Sequence, residues 1–478
     1  MGISAAMANA ASGLAANGLA TEVISANIAN AQTAGYGVRE LLLVPNPTGG
    51  VAVDGVSRLQ DLSLLNDQRS ASAALAGSGV NADFYKSIET AIGVPTDSGS
   101  LGASLTALDS ALIGAAAQPD SDAALSAVLS SAKTVAAKIN TISGQIQSAR
   151  GSADQAIARD VNRLNTTLQQ VAGLNAQIQK ATLAQRDASS LMDKRQSVID
   201  SVADIVPINQ VSRQNGTVAL FTTGGAGLLD GTKPASLGFT PAAGMTADQT
   251  LAGGGLSGLT LNGSAIRTDS ALVAGGSLAA NFELRDTTGP LAQAGIDALA
   301  RDLSSRFQTA DSTLSATAAG LFTDAGAQVS AANEVGLAGR LTINAAVDPA
   351  RGGSLAKLRD GLGSSGPGPV GNGAILAAMD RAMTALSVPA SGDVTATAVD
   401  SPGLAAALLG KISTARLAAE GASSYASAQS SALTAEALKN GVSTDQQLQQ
   451  LLLVERSYSA NARVMQTADT MLQALMNV

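Results

Sequence analysis

The last stretch of the chain, from Val442 to Val478, carries apolar residues with a strict seven-residue period. Its two lines lie three residues apart, and they are Leu451, Tyr458, Met465 and Leu472, followed by Val454, Asn461, Ala468 and Leu475. This spacing is typical of a helix that packs against a partner helix. Ser443 and Gln446 form a candidate capping box at its start. We therefore predict a helix that begins at this cap, runs to the end of the chain and uses its apolar lines to bind a partner.

A second pattern of the same kind lies at the opposite end of the sequence. Its members are spaced alternately by four and three residues, and they are Ile3, Met7, Ala10, Leu14, Asn17, Thr21, Ile24 and Ile28. Because Ala10, Asn17 and Thr21 weaken this seam, the helix alone should be mostly unfolded. We expect it to become ordered when a partner helix and neighbouring subunits bury it. An ordinary core helix is the alternative interpretation.

Turn-forming residues follow the first seam. The segment Asn30–Gly37 breaks the helical pattern, and a short apolar run, Leu41–Val44, is ended by Pro45, Pro47 and two glycines. We interpret this part of the chain as a hinge.

Two longer helical patterns come next, at about residues 59–93 and 121–206. The second is the longest helical stretch and carries its own internal seams, with one run of apolar residues seven apart at Ile157, Leu164, Val171 and Ile178. Glycines inside it mark possible breaks, and they are Gly144, Gly151 and Gly173.

After Pro207 the pattern changes to short apolar runs separated by turn residues. Ile208–Thr223 predicts two strands joined at Asn215-Gly216, which is a strong hairpin signal. Leu259–Leu261 predicts another strand before the turn at Asn262-Gly263. Helical spacing resumes after Pro290, with a possible strand at residues 340–347, a loop at 364–373 and helices around residue 402.

The order of these elements predicts a mainly α chain with an inserted β domain, an α+β multidomain protein. We predict a terminal coiled-coil domain made of residues 1–45 and 425–478, in which the N- and C-terminal helices pair. Residues 46–207 and 281–424 form a helical-bundle body, and residues 208–280 form a small β domain at its outer tip.

The composition limits the chemistry. The chain of 478 residues is 45% hydrophobic but only 2% aromatic, so its cores should be closely packed Ala, Leu, Val and Ile. It contains no Cys and no His, which removes thiol nucleophiles, disulfides, imidazole bases and the common zinc ligand sets. A net charge of -8 with dispersed Lys and Arg argues against nucleic acid. We expect no membrane insertion, because no apolar run approaches roughly 20 residues, and no cleaved signal peptide.

One motif resembles a cofactor loop. Two overlapping G-x-G-x-x-G matches occur, at Gly361, Gly363 and Gly366 and at Gly366, Gly368 and Gly371. Neither follows a clear strand, and Pro367 and Pro369 interrupt them, so we interpret the segment as a mobile loop. We predict no catalytic residue, no metal site and no cofactor, and therefore no enzyme.

Short signatures at both ends resemble a known family. Ser25–Asn30 with Thr33, Gly35 and Tyr36 is similar to the N-terminal signature of the axial proteins of the bacterial flagellum, which are the rod, hook and hook-associated proteins. Tyr458–Arg463 and the segment from Ala468 to Leu472 are similar to the closing signature of the same family.

The middle of the chain is similar to the hook-associated, junction-forming members of this family. The segments that carry this similarity are Phe282–Asp286, Gly320–Asp324, Val347–Pro349 and Leu358–Gly361. Two segments depart from the family pattern: Gly37-Val38 replaces the usual Ser-Arg, and Thr444–Gln447 is less acidic than usual.

The resemblance implies a structural role at the junction between hook and filament, outside the cell, after export through the flagellar type III apparatus. It implies contacts with hook protein and with the second junction protein, hook-associated protein 3, self-association in a ring, and an export chaperone at the C-terminal helix. A secreted protease-like enzyme on a flagellar scaffold and an intracellular coiled-coil scaffold are the alternatives.

We predict that the assembly interface is formed by the seams and the N-terminal signature. Its residues are Ile3, Met7, Leu14, Ile24, Asn27, Ile28, Asn30, Gly35, Tyr36, Leu451, Val454, Tyr458, Asn461, Met465, Leu472 and Leu475.

Overall fold

The structure is a computed structural model that describes residues 2–33, 35–267 and 271–476. Three predicted features extend outside the described residues: the end of the last helix at Val478, Ala34 in the helix break, and residues 268–270 of the β domain. The helices are α1 (Ile3–Ala29), α2 (Leu62–Ile92), α3 (Leu101–Ala117), α4 (Asp122–Leu183), α5 (Ser189–Asp200), α6 (Gly276–Glu283), α7 (Gly289–Ala310), α8 (Leu337–Arg340), α9 (Ala356–Asp360), α10 (Ala374–Thr384), α11 (Ser401–Lys439) and α12 (Thr444–Met476).

The strands are short and form four small antiparallel sheets within the described ranges. They are β1 (Arg39–Pro45), β2 (Val51–Arg58), β3 (Ile208–Ser212), β4 (Val218–Thr222), β5 (Gly227–Asp230), β6 (Lys233–Pro234), β7 (Leu237–Gly238), β8 (Leu259–Leu261), β9 (Ser264–Ile266), β10 (Phe322–Asp324) and β11 (Leu341–Ile343). The prediction of a mainly α fold with an inserted β region is confirmed.

The segment that the sequence predicts as a hinge contains an antiparallel hairpin instead, so that interpretation is wrong. β1 pairs with β2 from Arg39↔Arg58 to Pro45↔Val51, with a bulge after Leu42. Pro45 ends the first strand, and Gly49 and Gly50 turn the chain with φ values of 102° and 84°. The turn residues therefore end a strand and reverse the chain.

The predicted breaks in the longest helix are also wrong, because α4 continues through Gly144, Gly151 and Gly173. Ser121 caps its start, with its hydroxyl accepting a hydrogen bond from the Ala124 N–H. A glycine inside a helix costs about 1 kcal/mol relative to alanine. Each fully buried apolar side chain contributes roughly 1.5–3 kcal/mol, and the buried apolar positions of α4 greatly outnumber its glycines.

The two hairpin turns predicted from Asn-Gly pairs are present. β3 pairs with β4 across the loop that contains Asn215 and Gly216, which have φ values of 54° and 72°. β8 pairs with β9 across Asn262-Gly263, and both turn residues again have positive φ. The predicted strand at residues 340–347 corresponds to β11, which pairs with β10. The glycine-rich loop after residue 361 follows α9 and no strand, unlike a dinucleotide site.

The interior consists of two hydrophobic cores that share α4. The first core combines the N-terminal half of α4 with α3, α7, α10, the start of α11, the end of α2 and the β10–β11 pair. The second core combines the C-terminal half of α4 with α5, α6 and strands β3, β4, β5, β7 and β8. The β strands therefore pack on the helical body.

The predicted domain boundaries fall on different kinds of structure. The boundary between residues 45 and 46 separates β1 from β2, which pair with each other. The boundary between residues 424 and 425 lies inside α11, which is continuous from Ser401 to Lys439. The domain assignment remains a prediction.

A buried arginine joins the two cores. Arg285 lies in the π-helical turn Leu284–Thr288, and its guanidinium contacts Asp154 on α4 at 2.7 Å and Asp286 at 2.8 Å. Its carbonyl accepts a hydrogen bond from Arg150, which is also fully buried. Burial opposes the charge of Arg285, but hydrogen bonds and attraction from the two carboxylates outweigh it and raise the pKa of Arg285.

We expect Arg285→Met to lower the free energy of unfolding by about 3–5 kcal/mol, because it leaves Asp154 buried without its cation. Arg213→Met is the matched control, since Arg213 pairs with Asp230 at the surface and should lose less than about 1 kcal/mol. Urea unfolding of the two variants measures both losses. Equal losses would contradict a structural role for the buried ion pair.

Candidate assembly interface

The two ends of the chain pack against each other as antiparallel helices. A Cβ atom at Gly13 of α1 would lie 2.6 Å from the amide nitrogen of Asn461 on α12. One helical turn further along α1, Asn17 donates a hydrogen bond to the Ser457 hydroxyl at 3.1 Å. From one contact to the next, the residue number rises on α1 and falls on α12, so the two helices are antiparallel. This pair lies outside both hydrophobic cores.

The structure divides the predicted interface residues into three groups. Ile24 and Asn27 are buried. The half-buried residues in the described chain are Ile3, Met7, Leu14, Ile28, Asn30, Gly35, Tyr36, Leu451, Val454, Asn461, Met465 and Leu472. Tyr458 and Leu475 are exposed, at 51% and 65%, so most of their surface stays open to solvent within one chain. Their role in assembly remains a prediction.

Asn27 joins three segments at one end of the pair. It is 1% exposed, and its amide nitrogen donates to the Arg39 carbonyl at 2.9 Å and to Gln447 Oε1 at 3.0 Å. Its amide oxygen accepts from the Tyr36 hydroxyl at 2.9 Å and from the Arg39 N–H at 3.0 Å. These four bonds connect α1, the following turn, β1 and the first turn of α12. An amide is required because the site needs two donors and two acceptors.

The signature residues after Asn27 build the turn that carries Tyr36. The Asn30 side chain donates to the Ala26 carbonyl at 2.9 Å and accepts from the Thr33 hydroxyl at 3.2 Å. Gly35 has a φ of 79°, a conformation that favours glycine. Burial raises the pKa of Tyr36, with Arg39 opposing the shift and Asp193 adding to it. The phenol therefore stays protonated and can donate to Asn27.

Asp193 on α5 attaches this turn to the helical body. Arg39 and Arg58 lie directly opposite each other in the hairpin, where like charges would repel. Asp193 accepts from Arg39 at 2.8 Å and from Arg58 at 2.7 Å, and it also accepts the Gly37 N–H at 3.1 Å. One carboxylate thus bridges two arginines, offsets part of their repulsion and fixes the Gly37 backbone between them.

The glycine that departs from the family pattern has a packing reason. Gly37 is buried, and a Cβ atom there would lie 2.6 Å from Arg58 Nε. A serine at this position would displace the arginine that binds Asp193.

Four residues of this site were not predicted from the sequence, and they are Arg39, Arg58, Asp193 and Gln447. Asp193 and Gln447 are far from Asn27 in sequence, and no local period marks either of them. The pair of arginines that flank an apolar hairpin is the one signal that could have indicated a bridging carboxylate.

Another buried arginine, Arg69, connects α2 to α5 and β3. Arg69 donates to Asp200, the last residue of α5, at 2.8 Å and to Gln210 on β3 at 3.2 Å. Burial lowers the pKa of Arg69, and Asp200 partly offsets this effect. The start of α2 is therefore held by a charge pair next to the terminal helices.

The described part of the chain contains no cluster of three or more acidic residues that could bind a metal ion. None of the helices in residues 2–33, 35–267 and 271–476 combines the length and the hydropathy of a membrane span.

Comparison with protein families gives matches over the middle and both ends. The family described as "Flagellar hook-associated protein FlgK helical domain" matches residues 85–335, just over half of the chain. The family described as "Flagella basal body rod protein" matches residues 7–36, which cover most of α1 and the signature turn. The family described as "Flagellar basal body rod FlgEFG protein C-terminal" matches residues 439–478, which contain α12.

Individual relatives agree with these families. Flagellar hook-associated protein 1 of Escherichia coli strain K12 is 24% identical over 250 residues, and its namesake from Salmonella typhimurium strain LT2 is 26% identical over the same length. Each match covers 50% of this chain and 45% of the relative, so the chain spans about half the length of the curated relatives it matches. A solved structure of the flagellar hook junction protein FlgK from Burkholderia pseudomallei is 20% identical in sequence, with a TM-score of 0.43. The match covers 55% of this chain and 46% of the chain in that structure.

We expect Asn27→Ala to destabilise the contact between the chain ends by at least about 2 kcal/mol, because it leaves several buried groups without partners. Asn17→Ala is the matched control, since Asn17 donates one exposed bond and should cost under about 1 kcal/mol. Hydrogen exchange at the Arg39 amide and in the first turns of α12 measures the difference. Unchanged protection in the Asn27 variant would refute its connecting role.

Proposed function

The chain belongs to the flagellar hook-associated protein FlgK family, and we propose that it is a structural subunit of the junction between the flagellar hook and the filament. The observation that supports this role most directly is the antiparallel terminal pair. It lies outside both cores, and its two helices coincide with the segments that match rod-protein families. A helix pair that packs against neighbouring subunits is expected to lie outside the hydrophobic cores of its own chain.

We further propose the partners that this position requires. Hook protein would contact the subunit on one side and the second junction protein, hook-associated protein 3, on the other, while copies of the chain form a ring. The chain would act outside the cell, as part of the flagellum, and would be exported unfolded. An export chaperone would cover the C-terminal helix, whose large apolar residues include Leu452 and Leu453, exposed by 55% and 63%.

Assembly would complete the folding of the terminal pair. Only Gln447 and Ala468 of α12 and four residues of α1 are buried among the described residues of one chain. Since buried apolar area supplies most of the stability of a helix pair, this contact alone is weak. Neighbouring subunits would bury the remaining apolar surface and fix both helices. This mechanism calls for no catalytic group.

We expect Leu472→Asp to abolish incorporation into flagella while leaving the body folded, because Leu472 is a half-buried seam residue of α12. Leu291→Asp is the matched control, since Leu291 on α7 is 66% exposed and α7 belongs to the first core, which includes no residue of α1 or α12. Motility, electron microscopy of hook ends and circular dichroism of the purified variants provide the measurements. Normal filament growth with Leu472→Asp would refute the proposed role of the terminal pair.

A further inference from the structure

An asparagine that is followed by glycine loses its side-chain amide in water more readily than other asparagines. The glycine has no side chain to shield its backbone nitrogen, which can attack the amide carbon of the asparagine. The sequence contains five such pairs, which begin at Asn17, Asn215, Asn262, Asn372 and Asn440. Because the attack requires the backbone between the two residues to rotate, the fold decides which of the five pairs can react.

Three of the pairs are fixed by the hydrogen bonds of the asparagine. Asn17 lies inside α1, where consecutive helical hydrogen bonds hold its backbone. The side-chain oxygen of Asn262 accepts a hydrogen bond from the Ser236 N–H at 2.9 Å. The side-chain oxygen of Asn372 accepts one from the Ala374 N–H at 3.1 Å. Rotation at any of these pairs would break bonds that the fold makes there.

The pair that begins at Asn215 is fixed through its glycine. The Asn215 side chain is exposed, but the Gly216 carbonyl accepts a hydrogen bond from the buried Arg195 at 2.7 Å. A Cβ atom at Gly216 would lie 3.0 Å from both Ile178 and Met192, so the glycine is packed against α4 and α5. The attacking nitrogen therefore belongs to a backbone that cannot rotate freely.

The pair of Asn440 and Gly441 is exposed and lies at the corner between α11 and α12. Asn440 is the C-terminal cap of α11, with a ψ of 0°. Its side chain makes no hydrogen bond to any residue that the structure describes. The Gly441 N–H donates to the Leu438 carbonyl at 3.3 Å, and this bond at a helix end is the one that rotation would break. The fold therefore leaves this pair free to react.

We propose that the corner between α11 and α12 is a site of spontaneous deamidation, at which Asn440 becomes aspartate or isoaspartate. Hydroxide removes the proton from the Gly441 nitrogen, and the electron pair of this nitrogen forms a bond to Cγ of Asn440. The bond from Cγ to Nδ2 then breaks. Nδ2 takes one proton from water and leaves as ammonia, which regenerates the hydroxide and leaves a cyclic imide.

A water molecule then opens the imide at one of its two carbonyl carbons. Cleavage of the bond between the Gly441 nitrogen and Cγ gives aspartate. Cleavage of the bond between this nitrogen and the backbone carbonyl carbon gives isoaspartate, in which the main chain runs through Cβ and Cγ. The overall reaction consumes one water and releases one ammonia, and it needs no enzyme.

Both products change the short connection to the last helix. Only Asn440–Ser443 separates α11 from α12, and isoaspartate lengthens this connection by one methylene group. The new carboxylate lies at the C-terminal end of α11, where the helix dipole disfavours negative charge. It also lies one turn beyond Glu436, which already pairs with Lys439. Since Gln447 in the first turn of α12 bonds to the buried Asn27, the reaction loosens the attachment of α12 to α1.

Ageing of the purified full chain in mildly alkaline buffer tests the site. A glutamate-specific protease cuts after Glu436 and Glu455, and mass spectrometry then separates the amide, aspartate and isoaspartate forms of the peptide with Asn440. We expect this amide to be lost at least about fivefold faster than the other four, because local opening is easiest at a helix end. The same chain aged in urea is the matched control. Its five pairs should react at similar rates, because the fold no longer holds any of them.

Variants at the corner separate the reaction from its consequence. Gly441→Val should slow the loss of the Asn440 amide by more than about tenfold, because a β-branched side chain crowds the attacking nitrogen. Asn440→Asp carries the new charge without the extra methylene group, and Asn440→Gln carries neither. We expect hydrogen exchange in the first turn of α12 to be at least about twofold faster in the aged protein and in Asn440→Asp than in Asn440→Gln.

Three outcomes would overturn the inference. The first is equal rates for all five pairs in the folded chain, or a faster reaction at any pair other than Asn440. The second is a folded chain that keeps the Asn440 amide while the sample in urea loses it. The third is unchanged hydrogen exchange of α12 in both the aged protein and Asn440→Asp, which would remove the proposed effect on the terminal pair.

Discussion

The course of the chain follows from one constraint, which is that α1 and α12 pack against each other. Because α1 and α12 are antiparallel partners, the part of the chain between them starts at this helix pair and returns to it. α2 and α11 repeat this arrangement one level further on, since Gln68 of α2 donates to the Leu433 carbonyl of α11 while Arg416 pairs with Glu89 nearer the body. The Asn27 side chain connects the segment that follows α1 to the start of α12, because it binds Tyr36 and Arg39 as well as Gln447.

The helical body has a different property, which is that one long helix, α4, rigidly connects distant surfaces. α4 has 62 residues, and at 1.5 Å per residue it spans about 90 Å. A helix of that length is stable when it buries side chains along its whole course, and α4 does so by contributing to both cores. Arg285 and Asp154 lie where one core ends and the next begins, so the ion pair holds the point at which α4 would otherwise have little apolar cover. The β strands gain their stability from the same helix, which is why they do not form a core of their own.

Local patterns explain what could be predicted from the sequence. The helices at both chain ends and the Asn-Gly turns depend on neighbours within a few residues, and all of them appear in the structure. The hairpin at β1 and β2 was missed because Leu41–Val44 is apolar on both faces and shows no alternation. The glycines of α4 misled because packing with distant residues overrides local helix preference. Asp193 could not be predicted, because it bridges two arginines that come together only when the hairpin places Arg39 opposite Arg58.

Small side chains in α1 have two consequences that cannot be separated. Burial of Ala10 and Ala16 of α1 removes little apolar area from water, so the terminal pair is weak in a single chain. Ala11, Ala15 and Gly18 are also small and are exposed on α1, which leaves space beside the helix. Larger residues along α1 would strengthen the pair inside one chain and fill the space beside this exposed face. A weak terminal pair in one chain is therefore the physical condition for the proposed burial of these helices by another subunit.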